Sequence, residues 1–134
     1  NRLWKICSDK QIVCVFSINF NDQLLWGEKD KQPSIYLHRI ALNTNFKGQS
    51  IMTKIIDWAK NYCEENAKQF IRIDTWGENF KLINYYKKCG FKHLDTIDLN
   101  NIKGLPLHYK GKLALLEMNL HEPEILNSTE KDIN

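Results

Sequence analysis

The run from Ser34 to Thr75 constrains the fold more than any other part of the sequence. It opens with Ser34–Leu42, an apolar and aromatic segment that reads as a strand. The chain then passes through a polar, glycine-containing turn, Asn43–Gly48, into a helix. There Ile51, Met52, Ile55, Ile56, Ala59, Tyr62 and Cys63 fall on one helical stripe. Lys54, Asp57, Lys60, Asn61, Glu64 and Glu65 take the other side. Phe70–Thr75 follows as a second strand, so the run forms a β-α-β unit.

The flanks read as antiparallel strands. Leu3–Cys7 and Ile12–Phe20 form a hairpin around Ser8–Gln11, with Phe16, Ile18 and Phe20 alternating against Ser17 and Asn19. Asn21–Pro33 is polar except for Leu24, Leu25 and Trp26, a cluster expected to fold back onto the core. Beyond a break at Gly77–Asn79, a second helix is expected over Phe80–Lys88, with Leu82, Ile83, Tyr86 and Cys89 on one stripe. Gly90 supplies its C-terminal cap, and Phe91 is the apolar residue that accompanies it. A short strand then leads to Asp95–Leu99. A loop carries Gly104, Pro106, His108 and Gly111, and Leu113–Leu120 is the last strand. The order β-β-β-α-β-α-β-β predicts an α/β fold, a mixed sheet with helices packed on its faces.

At 134 residues the chain fits one domain, expected over residues 1–120, with a polar tail over 121–134. Its 43% hydrophobic and 26% charged content excludes a disordered or collagen-like chain. The first residue is Asn, so the chain is expected to be processed, trimmed or lacking a leading segment. The net charge of +3 is mild and no run of five basic residues occurs, so no nucleic-acid partner is expected. Cys7, Cys14, Cys63 and Cys89 form no C-x-x-C pair, which excludes zinc-ribbon and thioredoxin-like readings. Cys63 and Cys89 are expected as buried free thiols, consistent with a reducing compartment. No apolar run approaches 18 residues, so a cytoplasmic protein with no membrane partner is expected.

The turn before Ile51 has chemical meaning. The first turn of a helix carries unpaired N–H groups and the positive end of the dipole, and so can hold an anion such as a pyrophosphate. Gly48 permits close backbone approach, and Lys47 adds a positive charge.

A second motif sharpens this. The segment from Asn79 to Phe91 resembles the N-x-x-A-x-x-x-Y-x-x-x-G-F signature of the GNAT superfamily of acetyl-CoA-dependent acyltransferases. Asn79, Tyr86, Gly90 and Phe91 fall on the matching places, and Leu82 stands where a small residue is common. Tyr36–Leu42 resembles the strand that leads into that family's pyrophosphate loop. Asn45–Ser50 lies on the loop pattern Q/R-x-x-G-x-G/A, with Asn45 for Gln or Arg and Ser50 for Gly or Ala. Ser50 is acceptable there because serine can cap a helix. The resemblance covers about residues 3 to 120. The strand and one or two helices that normally precede the hairpin in the family are absent from this sequence.

The resemblance implies direct transfer of an acetyl group from acetyl-CoA, a cosubstrate, to the primary amine of a small molecule or peptide, with no metal. It places the pyrophosphate on the amides of Lys47, Gly48, Gln49, Ser50 and Ile51. The pantetheine arm would lie against the backbone of Ile40, Ala41 and Leu42, and Asn79 would bond its amide. Tyr86 becomes the candidate general acid for the leaving thiolate. Asp74, His38 and His108 are candidates for the base, with Tyr36 also on the cofactor strand. Trp26 and Trp76 are candidates for lining the acceptor pocket or packing in the core. Cys89 has no adjacent histidine and is not expected to act as a nucleophile. Homodimers are common in the family. A non-catalytic acyl-CoA-binding module is the alternative reading, motivated by Asn45 and Ser50.

Overall fold

The computed structural model describes residues 2–46, 50–106 and 108–121. Six strands form one mixed sheet in the order β1-β2-β3-β4-β6-β5. The strands are β1 (Arg2–Ser8), β2 (Gln11–Asn19), β3 (Ser34–Leu42), β4 (Phe70–Trp76), β5 (Lys92–Asp98) and β6 (Lys112–Asn119). The helices are a single turn α1 (Gln23–Trp26), α2 (Ile51–Glu65) and α3 (Phe80–Lys88). This is the expected order with α1 added, because the Leu24–Trp26 cluster is helical.

The hairpin β1–β2 turns on Asp9 and Lys10, with φ of +49° and +67°. Two central residues at positive φ form the turn whose twist matches paired strands. Only β3 and β4 run parallel, as the α2 crossover between them requires.

Alternation along the strands sorts side chains onto two faces. Ile35 and Leu37 of β3, Ile71 and Ile73 of β4, and Ala114, Leu116 and Met118 of β6 join the core under α2 and α3. Into it α2 buries Ile51, Met52, Ile55, Ile56, Ala59 and Cys63. α3 adds Ile83 and Tyr86. The other face carries a smaller cluster of Trp26, Tyr36 and Leu115 under the chain that joins β2 to β3. Cys14 and Cys63 are buried and Cys7 is exposed. Cys89, the C-cap of α3, is partly buried and packs against the edge of the core. Trp26 is buried in that second cluster, whereas Trp76 is 52% exposed. Among the described residues no helix is long and apolar enough to cross a membrane.

A buried arginine fixes the second face. Arg72 on β4 is completely enclosed. Its guanidinium lies over Trp26 at 4.7 Å and Phe70 at 4.8 Å. It donates to Glu117 Oε1, to the Lys29 carbonyl and to the Tyr36 hydroxyl, each at 2.9 Å, and to Gln32 Oε1. The Tyr36 hydroxyl donates onward to Asp30 Oδ1 at 2.6 Å, and Asp30 Oδ1 also accepts from the backbone N–H of Asp22 at 2.7 Å. The segment from Asp22 to Gln32 is thus held to the sheet by one cation and its partners.

Candidate functional site

The sheet opens where β3 and β4 separate. Only Ser34, Ile35 and Tyr36 pair with Phe70, Ile71 and Arg72. Beyond this, β3 runs on to Leu42 and β4 to Trp76 with no rungs between them. β3 stays paired on its other side, where Ala41 and Leu42 face Val15 and Cys14 of β2. From Leu37 onward, Ile40, Ala41 and Leu42 therefore border an opening in the sheet.

A bulge shapes the same stretch. Val15 pairs with Ala41 and Ser17 with His38, so two β3 residues, Arg39 and Ile40, oppose Phe16 alone. Arg39 takes φ of +53° to accommodate the extra residue.

The end of β3 is pinned by Asn43. Its N–H donates to the Val13 carbonyl and its Nδ2 to the Ile12 carbonyl, both at 2.8 Å. Its Oδ1 accepts from the Asn45 N–H at 3.0 Å. Lys47, Gly48 and Gln49 of the expected pyrophosphate loop lie outside the described residues. Ser50 sits at the N-cap of α2, but its side chain makes no capping bond, unlike the cap expected. The first turn of α2 carries no acidic residue, so among the described residues its own first turn leaves the positive end of the dipole unopposed.

α3 is closed at both ends in a way that fixes Tyr86. At its start Asn79 Oδ1 accepts from the Leu82 N–H at 3.1 Å. At its end the Phe91 N–H donates to the Tyr86 carbonyl and the Gly90 N–H to the Lys87 carbonyl, both at 3.1 Å. This is a Schellman closure, with Gly90 at φ +110° and the Phe91 ring 5.9 Å from that of Tyr86. The Tyr86 side chain is 8% exposed, and its hydroxyl makes no hydrogen bond among the described residues. Burial, reinforced by Tyr85, Cys89 and Asp74, pushes the phenol up to about 12. It stays protonated throughout the neutral range.

Across the opening, His38 of β3 stands between two carboxylates. Its Nδ1 is 4.0 Å from Asp74 Oδ2 on β4, and its Nε2 is 4.0 Å from Asp22 Oδ2 at the N-cap of α1. Burial raises Asp22 to about 6, with the Asp74 charge adding to the rise and His38 opposing it. Asp74 is also raised, by burial, against the lowering effect of His38. His38 and Asp22 border a cavity of about 530 Å³ walled by Leu24, Leu25, Leu105 and Tyr109. A larger cleft, about 820 Å³, lies at the far margin by Lys60, Gly90 and His121 and touches none of these residues.

The structure thus brings together His38 and Asp74, while Tyr86 lies in the core on the helix side of the sheet. His108 is exposed in the loop before β6, with its ring 4.7 Å from Tyr109, and is not part of the cavity wall. Tyr36 cannot serve as a base: its hydroxyl donates to Asp30, accepts from Arg72 and is pushed up to about 12, chiefly by burial. Asp22 escaped the sequence reading. Its one local signal was an acidic residue just ahead of the apolar Leu24–Trp26 turn, and its distance from His38 in sequence hides the contact.

Comparison with known proteins agrees with this architecture. Residues 2–91 match the model of the acetyltransferase (GNAT) family. An uncharacterized N-acetyltransferase of Bacillus subtilis, YesJ, is 32% identical over 73 residues, which are 54% of this chain and 41% of YesJ. A GNAT family acetyltransferase of Listeria monocytogenes superposes with a TM-score of 0.66 at 24% identity, covering 82% of this chain and 59% of that one. A GNAT family acetyltransferase of Elizabethkingia anophelis, solved with acetyl-CoA bound, gives 0.64 at 16% identity over 88% of this chain and 75% of its own. The chain spans less than half the length of YesJ. With a family match over two-thirds of its residues and a sheet that opens between its two parallel strands, the chain belongs to the GNAT acetyltransferase family.

Proposed function

We propose that the protein transfers the acetyl group of acetyl-CoA directly to a primary amine. The observation that carries this reading is the opening between β3 and β4, with Tyr86 on the helix side and His38 and Asp74 on the other. Two reactants can reach such a gap from opposite faces.

The residues present suit the cosubstrate. The unpaired margin of Ile40, Ala41 and Leu42 can take an extended amide-bearing arm as a strand would. The first turn of α2, with Ser50, Ile51 and the loop residues Lys47, Gly48 and Gln49, suits the pyrophosphate. Asn79 Nδ2 has no partner among the described residues and is free to donate to a pantetheine carbonyl. A backbone N–H of the β3 margin can stabilise charge developing on the thioester oxygen.

The acceptor nitrogen forms the new C–N bond as the C–S bond breaks. Tyr86 donates its proton to the departing sulfur. His38, set between Asp22 and Asp74, takes the proton that the amine loses, and the phenolate regains one from solvent. The products are an N-acetyl amine and the free CoA thiol.

Thiol release from acetyl-CoA across a panel of amines tests the reading. Release above uncatalysed hydrolysis supports it. CoA binding without release from any amine would favour the non-catalytic acyl-CoA-binding module instead, which Asn45 and Ser50 motivate.

A further inference from the structure

The wall of the 530 Å³ cavity carries two consecutive residues of one strand, His38 and Arg39. A regular strand cannot do this, because successive side chains point to opposite faces. Tyr36 faces away from the helices, so His38 does too, and Arg39 belongs on the helix side. The bulge opposite Phe16 breaks the alternation and brings Arg39 to the cavity wall, in the left-handed conformation that an L-residue rarely adopts.

Arg39 is an exposed residue of that wall. Among the described residues it forms no ion pair, and the cavity's carboxylate, Asp22, is directed at His38 instead. One compartment therefore holds a cation and an anion that do not pair with each other. The rest of the wall is mostly apolar, including Leu25, Leu105 and Tyr109, with Ser17, Asn19 and Asn21 as its polar part. The volume falls within the usual range for small-molecule sites.

We propose that the acceptor is a compound of the amino-acid type, carrying a primary amine and a carboxylate on one apolar body, and that Arg39 receives the carboxylate. The proposal rests on the acyl-transfer reading above. The amine end sits by Asp22 and His38, nearest the opening where the bond is made. The carboxylate then meets the guanidinium, which binds it through paired N–H donors. A polyamine would set a second cation against Arg39. A simple amine would leave the guanidinium without a partner.

Matched acceptors test this: L-phenylalanine, L-phenylalaninamide and 2-phenylethylamine, each corrected for its free-amine fraction, with thiol release as readout. Phenylalanine is expected to have a kcat/KM about tenfold above the other two, the scale of one charge-assisted bond. Arg39→Gln is expected to raise the phenylalanine KM about tenfold and erase the preference, leaving the acetyl-CoA KM unchanged; Arg39→Lys restores part of it. Equal or better use of the amide or amine overturns the proposal but leaves acyl transfer standing. So does an Arg39→Gln effect on the acetyl-CoA KM instead of the acceptor KM. If no acceptor releases thiol, calorimetric titration of phenylalanine into the CoA-saturated protein separates the two readings. Binding weakened by Arg39→Gln keeps the carboxylate site and removes acyl transfer, whereas no binding removes the site. Thermal melting of each variant shows that it is folded.

Discussion

His38 and Asp74 face each other across 4.0 Å at the position where the next rung of the β3–β4 ladder would have been. Tyr36 pairs with Arg72, and both residues lie two positions further on, on the same face. The two strands have parted there, so the side chains meet over a gap rather than over a hydrogen-bonded ladder. Burial raises both carboxyls that flank His38, Asp22 and Asp74.

The first prediction concerns Asp22. Its native pKa lies above the ordinary 3.8, at about 6. Between these values the folded state binds more protons than the unfolded one. The stabilising contribution of the protonated carboxyl is therefore complete below 3.8 and is lost as pH rises through 6. The full displacement would correspond to about 3 kcal/mol, which solvent at the cavity rim reduces to about 1 kcal/mol. Asp22→Asn should thus melt higher than the parent at pH 7 to 8 by about that amount, with the gap closing near pH 4. The same substitution should raise the acceptor KM. Melting curves across this range that keep a constant offset would contradict the assignment.

Tyr86→Phe keeps the ring that packs on Phe91 and removes only the hydroxyl. Stability should change by less than about 1 kcal/mol, because among the described residues that hydroxyl has no hydrogen-bond partner to lose. The value of kcat should fall by about a hundredfold, the lower end of the range for loss of a general acid, with the acetyl-CoA KM little altered. A wild-type kcat would remove Tyr86 from the chemistry. Tyr85, its exposed neighbour, is the control: Tyr85→Phe should retain activity.

Asn79 has two separable duties. Its Oδ1 caps α3 through the Leu82 N–H, while Nδ2 is available to a ligand. Asn79→Asp keeps a capping oxygen and loses the donor, so stability should hold while the acetyl-CoA KM rises. Asn79→Ala should lose both, with about 1 kcal/mol of stability. Urea unfolding alongside initial rates distinguishes the two variants, and an unchanged KM in Asn79→Asp would leave Asn79 with the cap alone.

Arg72→Met should be the most damaging of these substitutions to stability. It would leave Glu117, Gln32 and the Tyr36 hydroxyl without their shared donor. Removing one partner from a buried charged pair costs about 3 kcal/mol or more. The urea midpoint should drop with little change in slope. Because the same cation holds the Asp22–Gln32 segment, acceptor KM should rise more than acetyl-CoA KM. Arg72→Lys should recover part of the stability and little of the acceptor affinity, since an ammonium cannot make the forked contacts.

The parts of this molecule legible in its sequence are those that local chemistry decides. The α2 stripe from Ile51 to Cys63 shows at helical spacing, and Gly90 with Phe91 announces the end of α3. The hairpin followed from alternation around Phe16 and Ile18. What stayed hidden depends on elements meeting in space. Nothing near Arg72 in sequence says that it is enclosed by Trp26, Phe70 and Tyr36. Tyr36 reads as a possible base on the cofactor strand because its partners, Asp30 and Arg72, come from a loop and a neighbouring strand. In the sequence His108 and His38 both stand as candidate bases, and it is the fold that gives His38 carboxylates on both sides. Asp22 could not be paired with His38 before the chain between them was seen to fold back.

The short parallel ladder has a mechanical meaning as well as a chemical one. Each other pair of neighbouring strands is joined at five to seven positions, and β3 and β4 at three. The sheet is in effect two three-stranded leaves, β1-β2-β3 and β4-β6-β5, sewn along a brief seam. A ligand laid along the margin of Leu37 to Leu42 would bridge the leaves as a borrowed strand. Cosubstrate would then be a structural component of the fold, and the protein's resistance to unfolding would rise with its concentration by simple mass action.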